Sequence, residues 1–394
     1  MREDTNKEEV KEQESVSRAG RMLLKKLEIA RKKKEAASSG LQVEYYIGID
    51  LGDRKSYYCI LDGEANILVE GNFPTTAAGF DGHFKGLCRS RIALEVGTHS
   101  PWASDLLERH GHEVYVANTR KMGGRKNRRK NDRLDAELLA RQVRSDPAQL
   151  YPIRHRGEKT RRGLVLLRAR DAMMNARTKL VNGVRGLVKS SGHRLPKCDS
   201  DRFHKVDMPG LPKELQVALQ PMLDQIGQLT EKIKSYDKDV KRVSLQDYPE
   251  TEVLRQIKGV GFLVALAYVL TIENPEFFSK SRDTGSYLGL VPKQYDSGKS
   301  TPQLRITKTG DRMMRKLLVQ SAQYILGPFG EDSDLRRHGL KIAERGGRNG
   351  KRRAVVAVAR KLAVLLHRLW QTGEVYEPLY NNRSGDGNNL QKAA

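Results

Sequence analysis

The chain has 394 residues, with 72 Lys and Arg against 48 Asp and Glu, a formal net charge of +24 and an isoelectric point near 9.9. A hydrophobic content of 38% supplies packed cores and excludes a chain disordered throughout, and the length suits two or three domains. No apolar run approaches the roughly 18 residues of a membrane-spanning helix, and the stretch Met1 to Glu14 lacks the apolar core of a secretory signal. Cys59, Cys88 and Cys198 are too scattered for a zinc knuckle or a disulfide framework, so a cytoplasmic protein with reduced thiols and no membrane partner is expected.

Residues 1–40 are charge-rich and read as an extension, with a short amphipathic helix around Met22 to Ala30. Strands are expected at Tyr45 to Asp50, Lys55 to Leu61 and Asn66 to Asn72, the last two separated by the turn signal Asp62-Gly63. A helix at Phe80 to Cys88, a strand at Arg91 to Val96, a helix at Pro101 to His110 and a strand at Glu113 to Ala117 follow. Leu134, Leu138, Leu139 and Val143 then recur at helical spacing over Asp132 to Ser145. Three hairpin-connected strands followed by alternating helix and strand is the order of an RNase H-like α/β domain, assigned to residues 41–150.

Residues 151–250 read as a helical or coiled-coil region. Leu219, Met222, Ile226, Leu229, Ile233, Tyr236, Val240 and Val243 alternate three and four apart, a stripe that meets either its own chain or a second copy and that suggests at least a dimer. Residues 251–380 form a mostly helical C-terminal domain. In it Ile257-Lys258-Gly259-Val260-Gly261 precedes the apolar run Phe262 to Leu270 like a helix-hairpin-helix element, with Lys258, Gly259 and Gly261 placed to meet a phosphate. Gly330 onward reads as loop, Arg353 to Trp370 as the final helix, and residues 381–394 as a disordered tail.

The positive charge is concentrated. Arg120 to Arg170 holds 17 Lys and Arg against 5 acids, and Arg336 to Lys361 holds 10 against 1. Two such blocks call for a polyanion, because neutralising phosphates releases counterions; charge alone leaves DNA and RNA both open. In the first block Arg120, Lys121, Arg125, Lys126, Arg128, Arg129, Lys130 and Arg133 are the candidate nucleic-acid contacts.

Beside them stand four acids. Asp50 closes the first expected strand, Glu95 closes the strand Ile92 to Glu95, and Asp132 and Asp135 lie one helical turn apart. Singly, each is an ordinary cap or solvated turn. If the strands are neighbours and the helix crosses them, the carboxylates converge, and oxygen-only ligation favours Mg2+ or Mn2+. Two such ions about 4 Å apart serve phosphodiester chemistry.

GIDLG at Gly48 to Gly52, ALEVG at Ala93 to Gly97 and Lys130-Asn131-Asp132-Arg133-Leu134-Asp135-Ala136 resemble the DEDD motif of RuvC-like insertion-sequence transposases, the IS110 family with its IS1111 branch. A second motif set follows in Gly289-Leu290-Val291-Pro292, Gln294 to Gly298 and Ile306 to Asp311, so the resemblance runs in order from about Tyr45 to Tyr380. It implies a DNA recombinase guided by a structured bridge RNA, acting on donor and target DNA as a dimer or a four-subunit complex. It further implies that Asp50, Glu95, Asp132 and Asp135 bind the metal and that Ser297 is the nucleophile forming a phosphoserine link to DNA. Lys299 stands where the family commonly has a second glycine, and Ser300 is three residues beyond Ser297. Lys299, Arg305, Lys308 and Arg312 are positioned in sequence to stabilise phosphorane charge. A metal-dependent Holliday-junction-type endonuclease using water, and a non-catalytic nucleic-acid-binding protein, are the alternative readings.

Overall fold

A computed structural model describes residues 45–382 apart from 120, 123–130, 296, 298–301, 303 and 348, together with Lys25 and Leu27. The chain divides into two compact units, Met1–Arg156 and Gly157–Ala394.

In the first unit β1 (Tyr46–Asp50), β2 (Lys55–Leu61) and β3 (Ile67–Pro74) form an antiparallel meander. Its second turn is fixed by Asp62, whose Oδ1 accepts from the Glu64 and Asn66 amides at 2.8 and 2.9 Å. β4 (Arg91–Glu95) and β5 (Glu113–Ala117) add in parallel, giving the order β3-β2-β1-β4-β5. Parallel neighbours need crossovers, supplied by α1 (Ala77–Phe84) and α2 (Ser100–Arg109). The expected elements are present with small shifts that have local causes. The Thr76 hydroxyl accepts from the Gly79 amide at 3.1 Å, so α1 starts before Phe80, and Gly86 at φ +89° lies just past its end. β3 reaches Pro74, which an edge strand tolerates.

Alternation along the strands makes two cores. Ile47, Ile49, Ile60, Ile92 and Leu94 face Phe80 and Phe84 of α1 and Leu107 of α2, with Phe73 and Phe80 edge to face at 4.8 Å. Leu27 is buried in this same core, so the N-terminal segment contributes at least one residue to the domain instead of being only an appendage. On the other face Cys59, Leu61, Ala93 and Ala117 meet α3 (Asp132–Ser145) through Ala136, Leu139, Ala140 and Val143. A Cβ on Gly48 would lie within 3.0 Å of the Ala136 carbonyl oxygen and the Ala140 nitrogen, so helix backbone rests directly on strand backbone.

The second unit opens with two long helices, α4 (Glu158–Ser190) and α5 (Lys213–Gln246). They run antiparallel: Arg170 pairs with Asp237 at 2.6 Å, Arg177 donates to the Thr230 hydroxyl at 3.2 Å, and Gly183 faces Met222. At the far end Leu219, Leu223 and Ile226 pack with Val181, Val184, Val188 and Phe203. At the near end Val240 joins Leu164 and Leu167 in the main core. The apolar stripe of α5 is thus covered within its own chain and carries no argument for a dimer.

That core is completed by α6 (Thr251–Leu254), α7 (Phe262–Ile272), α8 (Asp283–Tyr287), α9 (Arg312–Leu326), α10 (Asp334–Glu344) and α11 (Gly350–Thr372). α7 is apolar on almost all sides and lies inside, with the deep Tyr268 hydroxyl donating to the Ala363 carbonyl at 2.6 Å. The expectation of loop from Gly330 to the final helix is corrected by α10. Ser333 caps it, accepting from the Arg336 amide at 3.2 Å, and its apolar face, built on Leu335, is short. Among the described residues no helix is long and apolar enough to cross a membrane.

Two outcomes follow. Gly48→Ala forces α3 off the sheet and destabilises the first unit by about 1–3 kcal/mol or more, read as a fall in Tm. His83, His110 and His112 all titrate below the ordinary value of 6.5, chiefly because burial disfavours the imidazolium. A histidine lowered in this way stabilises the fold fully above 6.5 and loses that contribution as pH falls through 6.5 toward the folded value. The urea midpoint of the first unit is therefore lower at pH 5.5 than at pH 7.5.

Candidate active site and nucleic-acid interface

β1 and β4 pair in parallel with Tyr46 opposite Arg91 and Ile49 opposite Leu94, which puts Asp50 and Glu95 level at adjacent strand ends. Asp50 shares the parity of Gly48, and Glu95 that of Ala93; both of those reference positions pack against α3, so both acids lie on the α3 side of the sheet. The direction of α3 is set by its arginines. Arg133 pairs with Glu70 in β3, while Arg144 donates to the Gly63 carbonyl at 3.1 Å in the β2–β3 turn, beyond the Tyr46 end of β1. α3 therefore runs against β1, and its first turn, with exposed Asp132 and half-buried Asp135, lies toward the strand ends that carry Asp50 and Glu95.

Local bonds order this end of the sheet. The Thr119 hydroxyl donates to Glu95 Oε1 at 2.8 Å, and the Asn131 side chain accepts from the Arg133 amide at 3.1 Å to start α3. His99 accepts from the Trp102 indole through Nδ1 at 3.2 Å, which leaves the ring proton of its neutral form on Nε2, 3.7 Å from Asp53. Thr119, His99 and Trp102 did not stand out in the sequence, because none of them sits at a motif position. Carboxylate oxygens are the hard donors that Mg2+ or Mn2+ takes. As the side chains stand, no group of three or more His, Cys, Asp and Glu among the described residues is gathered closely enough to hold a metal ion.

Ser297 lies in the second unit, exposed, in the segment between α8 and α9. The base of that segment is a backbone stem: Lys308 N bonds to Gly289 O at 3.1 Å, Thr307 N to Val291 O at 2.9 Å and Lys293 N to Arg305 O at 2.9 Å. Gly289 and Gly310 are left-handed at φ +68° and +73°, and a Cβ at either would strike backbone, of Thr309 or of Tyr287. Arg315, which the sequence reading missed, braces the stem by donating to the Leu288 carbonyl at 3.2 Å and to the Thr309 carbonyl. Arg305, Lys308 and Arg312 are exposed around this stem, Lys308 with a left-handed backbone at φ +59°.

At the Gly-rich turn, Gly259 has φ +95° and Lys258, Gly259 and Gly261 line a pocket of about 400 Å³ at the start of α7. The buried Ser321 hydroxyl, without a hydrogen-bond partner among the described residues, also lines this pocket. Lys258 pairs with Glu331 at 3.4 Å, and Lys121 is exposed. Arg120, Arg125, Lys126, Arg128, Arg129, Lys130, Lys299 and Ser300 lie outside the described residues.

A DEDD transposase family model matches residues 47–192, and the model described as Transposase IS116/IS110/IS902 family matches residues 251–334. The chain belongs to this IS110/IS116 family of insertion-sequence transposases. It is 29% identical over 256 residues to the transposase for insertion sequence element IS1111A of Coxiella burnetii, covering 63% of this chain and 68% of that one. It is 27% identical over 281 residues to the transposase for IS1328 of Yersinia enterocolitica, covering 70% and 82%. A probable family 20 transposase of Pseudomonas aeruginosa is 25% identical over 305 residues, 75% of this chain and 88% of that protein.

Removing the brace tests the stem. Arg315→Ala leaves two carbonyls without their donor, costs about 1–3 kcal/mol, and speeds tryptic cleavage at Lys293 and Arg305 while cleavage elsewhere is unchanged.

Proposed function

We propose that the protein cuts and rejoins DNA for an insertion sequence, with Asp50, Glu95, Asp132 and Asp135 as a divalent-metal tetrad and Ser297 as nucleophile. The observation that carries this reading is the level placement of Asp50 and Glu95 on one side of the sheet, with the acid-bearing first turn of α3 directed to that end. The strand order β3-β2-β1-β4-β5, with one antiparallel meander and two parallel additions, supports an RNase H-like, RuvC-like assignment. Bound Mg2+ or Mn2+ would supply activation of an attacking oxygen and stabilisation of a leaving one.

The chain's own groups do the rest. Thr119 orients Glu95 through its hydrogen bond. Ser297 Oγ, a poor nucleophile until its proton passes to a base, bonds to phosphorus as a phosphodiester P–O bond breaks. A DNA hydroxyl then attacks the same phosphorus and restores the serine, so phosphodiester energy is conserved. Arg305, Lys308 and Arg312 hold the charge that develops on the phosphoryl oxygens, and Lys258 with the Gly259-Val260-Gly261 turn holds a backbone phosphate. The acids belong to the first unit and the serine to the second, so our reading requires the two to meet at one phosphate, within a chain or between copies. Guidance by a structured RNA and assembly into dimers and tetramers complete the proposal; they rest on the family resemblance, and the basic blocks suit an RNA partner.

End-labelled DNA separated under denaturing conditions tests this. The wild type with Mg2+ forms a protein–DNA adduct that Ser297→Ala abolishes while DNA binding is retained; cleavage without an adduct would instead establish the water-using endonuclease. Asp50→Ala, or excess chelator, removes strand cleavage by at least two orders of magnitude, about the scale of losing a key electrostatic group. Undiminished turnover in chelator would overturn the metal assignment.

A further inference from the structure

A cleft of about 1280 Å³ opens in the second unit among α10, α11 and the segment after α11 that ends near Asn381. Its interior is apolar, with Leu335 and Leu369 buried and Val364 half-buried, while exposed Arg282, Lys341 and Lys361 and half-buried Arg360 line it as cations. Arg337 is already bound to Asp332 and Arg368 to Glu374, but those four cations make no ion pair with a described residue. His338, also in the lining, titrates below its usual value because of burial first and then the charges of Lys361 and Arg345, which marks the same positive field. All of it except Ser281, Arg282 and Asp334 lies beyond the segments that the family models match.

Six Lys and Arg against Asp334, Glu374 and Glu377 in the lining favour an anionic occupant, and the concave apolar floor favours one that presents flat apolar groups. Duplex DNA offers the first but keeps its bases stacked inside, whereas a single strand offers both. The volume exceeds the roughly 300–1,000 Å³ of small-molecule pockets, which suits several linked nucleotides. Residues 383–394, the chain's own continuation past the cleft, carry Arg383 and Lys392 against Asp386 and lack the complementary charge. We infer that this cleft seats unpaired nucleotides of a single-stranded segment, phosphates against Arg282, Lys341, Arg360 and Lys361 and bases over the apolar floor. The inference rests on the nucleic-acid-processing function proposed above.

The test uses the full chain and oligonucleotides of about 20 nucleotides, spanning one or more such sites, as single-stranded RNA, single-stranded DNA and duplex DNA of one sequence. Fluorescence anisotropy reads the affinities. Val364→Trp fills the floor without changing charge and weakens both single strands, or the one the cleft takes, about tenfold, while duplex affinity stays within twofold. Lys341→Glu with Lys361→Glu, at exposed positions that keep the test open if the tryptophan variant misfolds, weakens single strands similarly and flattens their salt dependence. A stronger loss with RNA than with DNA identifies the strand as RNA, and the reverse as DNA. Unchanged single-strand affinity in both variants, or an equal loss with duplex, overturns the cleft assignment and leaves the function standing. A wild type that binds none of the three probes overturns the function itself. Removal of residues 383–394 that raises single-strand affinity, with the tail peptide competing, makes the tail the occupant and also overturns the inference.

Discussion

The arrangement of the sheet unit depends on one close approach, the seating of α3 on β1 at Gly48. A strand carrying any side chain there would hold the helix off by the thickness of a methyl group, because the atoms opposite are the Ala136 carbonyl and the Ala140 nitrogen, which cannot swing aside. The helix answers with small residues of its own, Ala136 and Ala140, both buried. This contact keeps the first turn of α3 low over the sheet, where its positive dipole end favours carboxylates nearby. The acid geometry is therefore a by-product of packing: it is the absence of a side chain two residues before Asp50 that decides where Asp132 and Asp135 can go.

The helical unit solves a different problem. α7 has no polar face, so it can only be an interior helix, and α4, α5, α8, α9, α10 and α11 form the shell it requires. Wrapping a shell around one rod leaves the connections outside, and the serine-bearing stem is such a connection. Its base is held by main-chain bonds, two left-handed glycines and the Arg315 brace, none of which depends on the identity of residues at the tip. The tip is thus free to be chosen for chemistry, and the stem for rigidity.

Much of the sheet unit was legible in the sequence. Strand alternation, Asp62-Gly63 and the helical spacing from Leu134 to Val143 each carry a local signal, and the strands at Lys55–Leu61 and Glu113–Ala117 fall where their patterns put them. The acids stood out as a set, two at strand ends and two at a helix start beside a basic block in sequence. Their sidedness did not, since it depends on parity relative to Gly48, a nonlocal contact. α10 was invisible because its apolar face is short and interrupted by Arg336, Arg337 and Gly339, and Arg315 because a bond from a guanidinium to two carbonyls leaves no mark in a motif. The α5 stripe suggested a dimer, but a seam does not say whose helix fills it; here α4 of the same chain does.

The hairpin of α4 and α5 carries a geometric consequence. Its 33- and 34-residue helices are each about 50 Å long at 1.5 Å per residue. Separate apolar clusters close the two ends, and between them buried Arg177 reaches across to Thr230. Anchored at both extremities, the pair sets its tip about 50 Å from its root, a length close to fifteen steps of duplex at about 3.4 Å each.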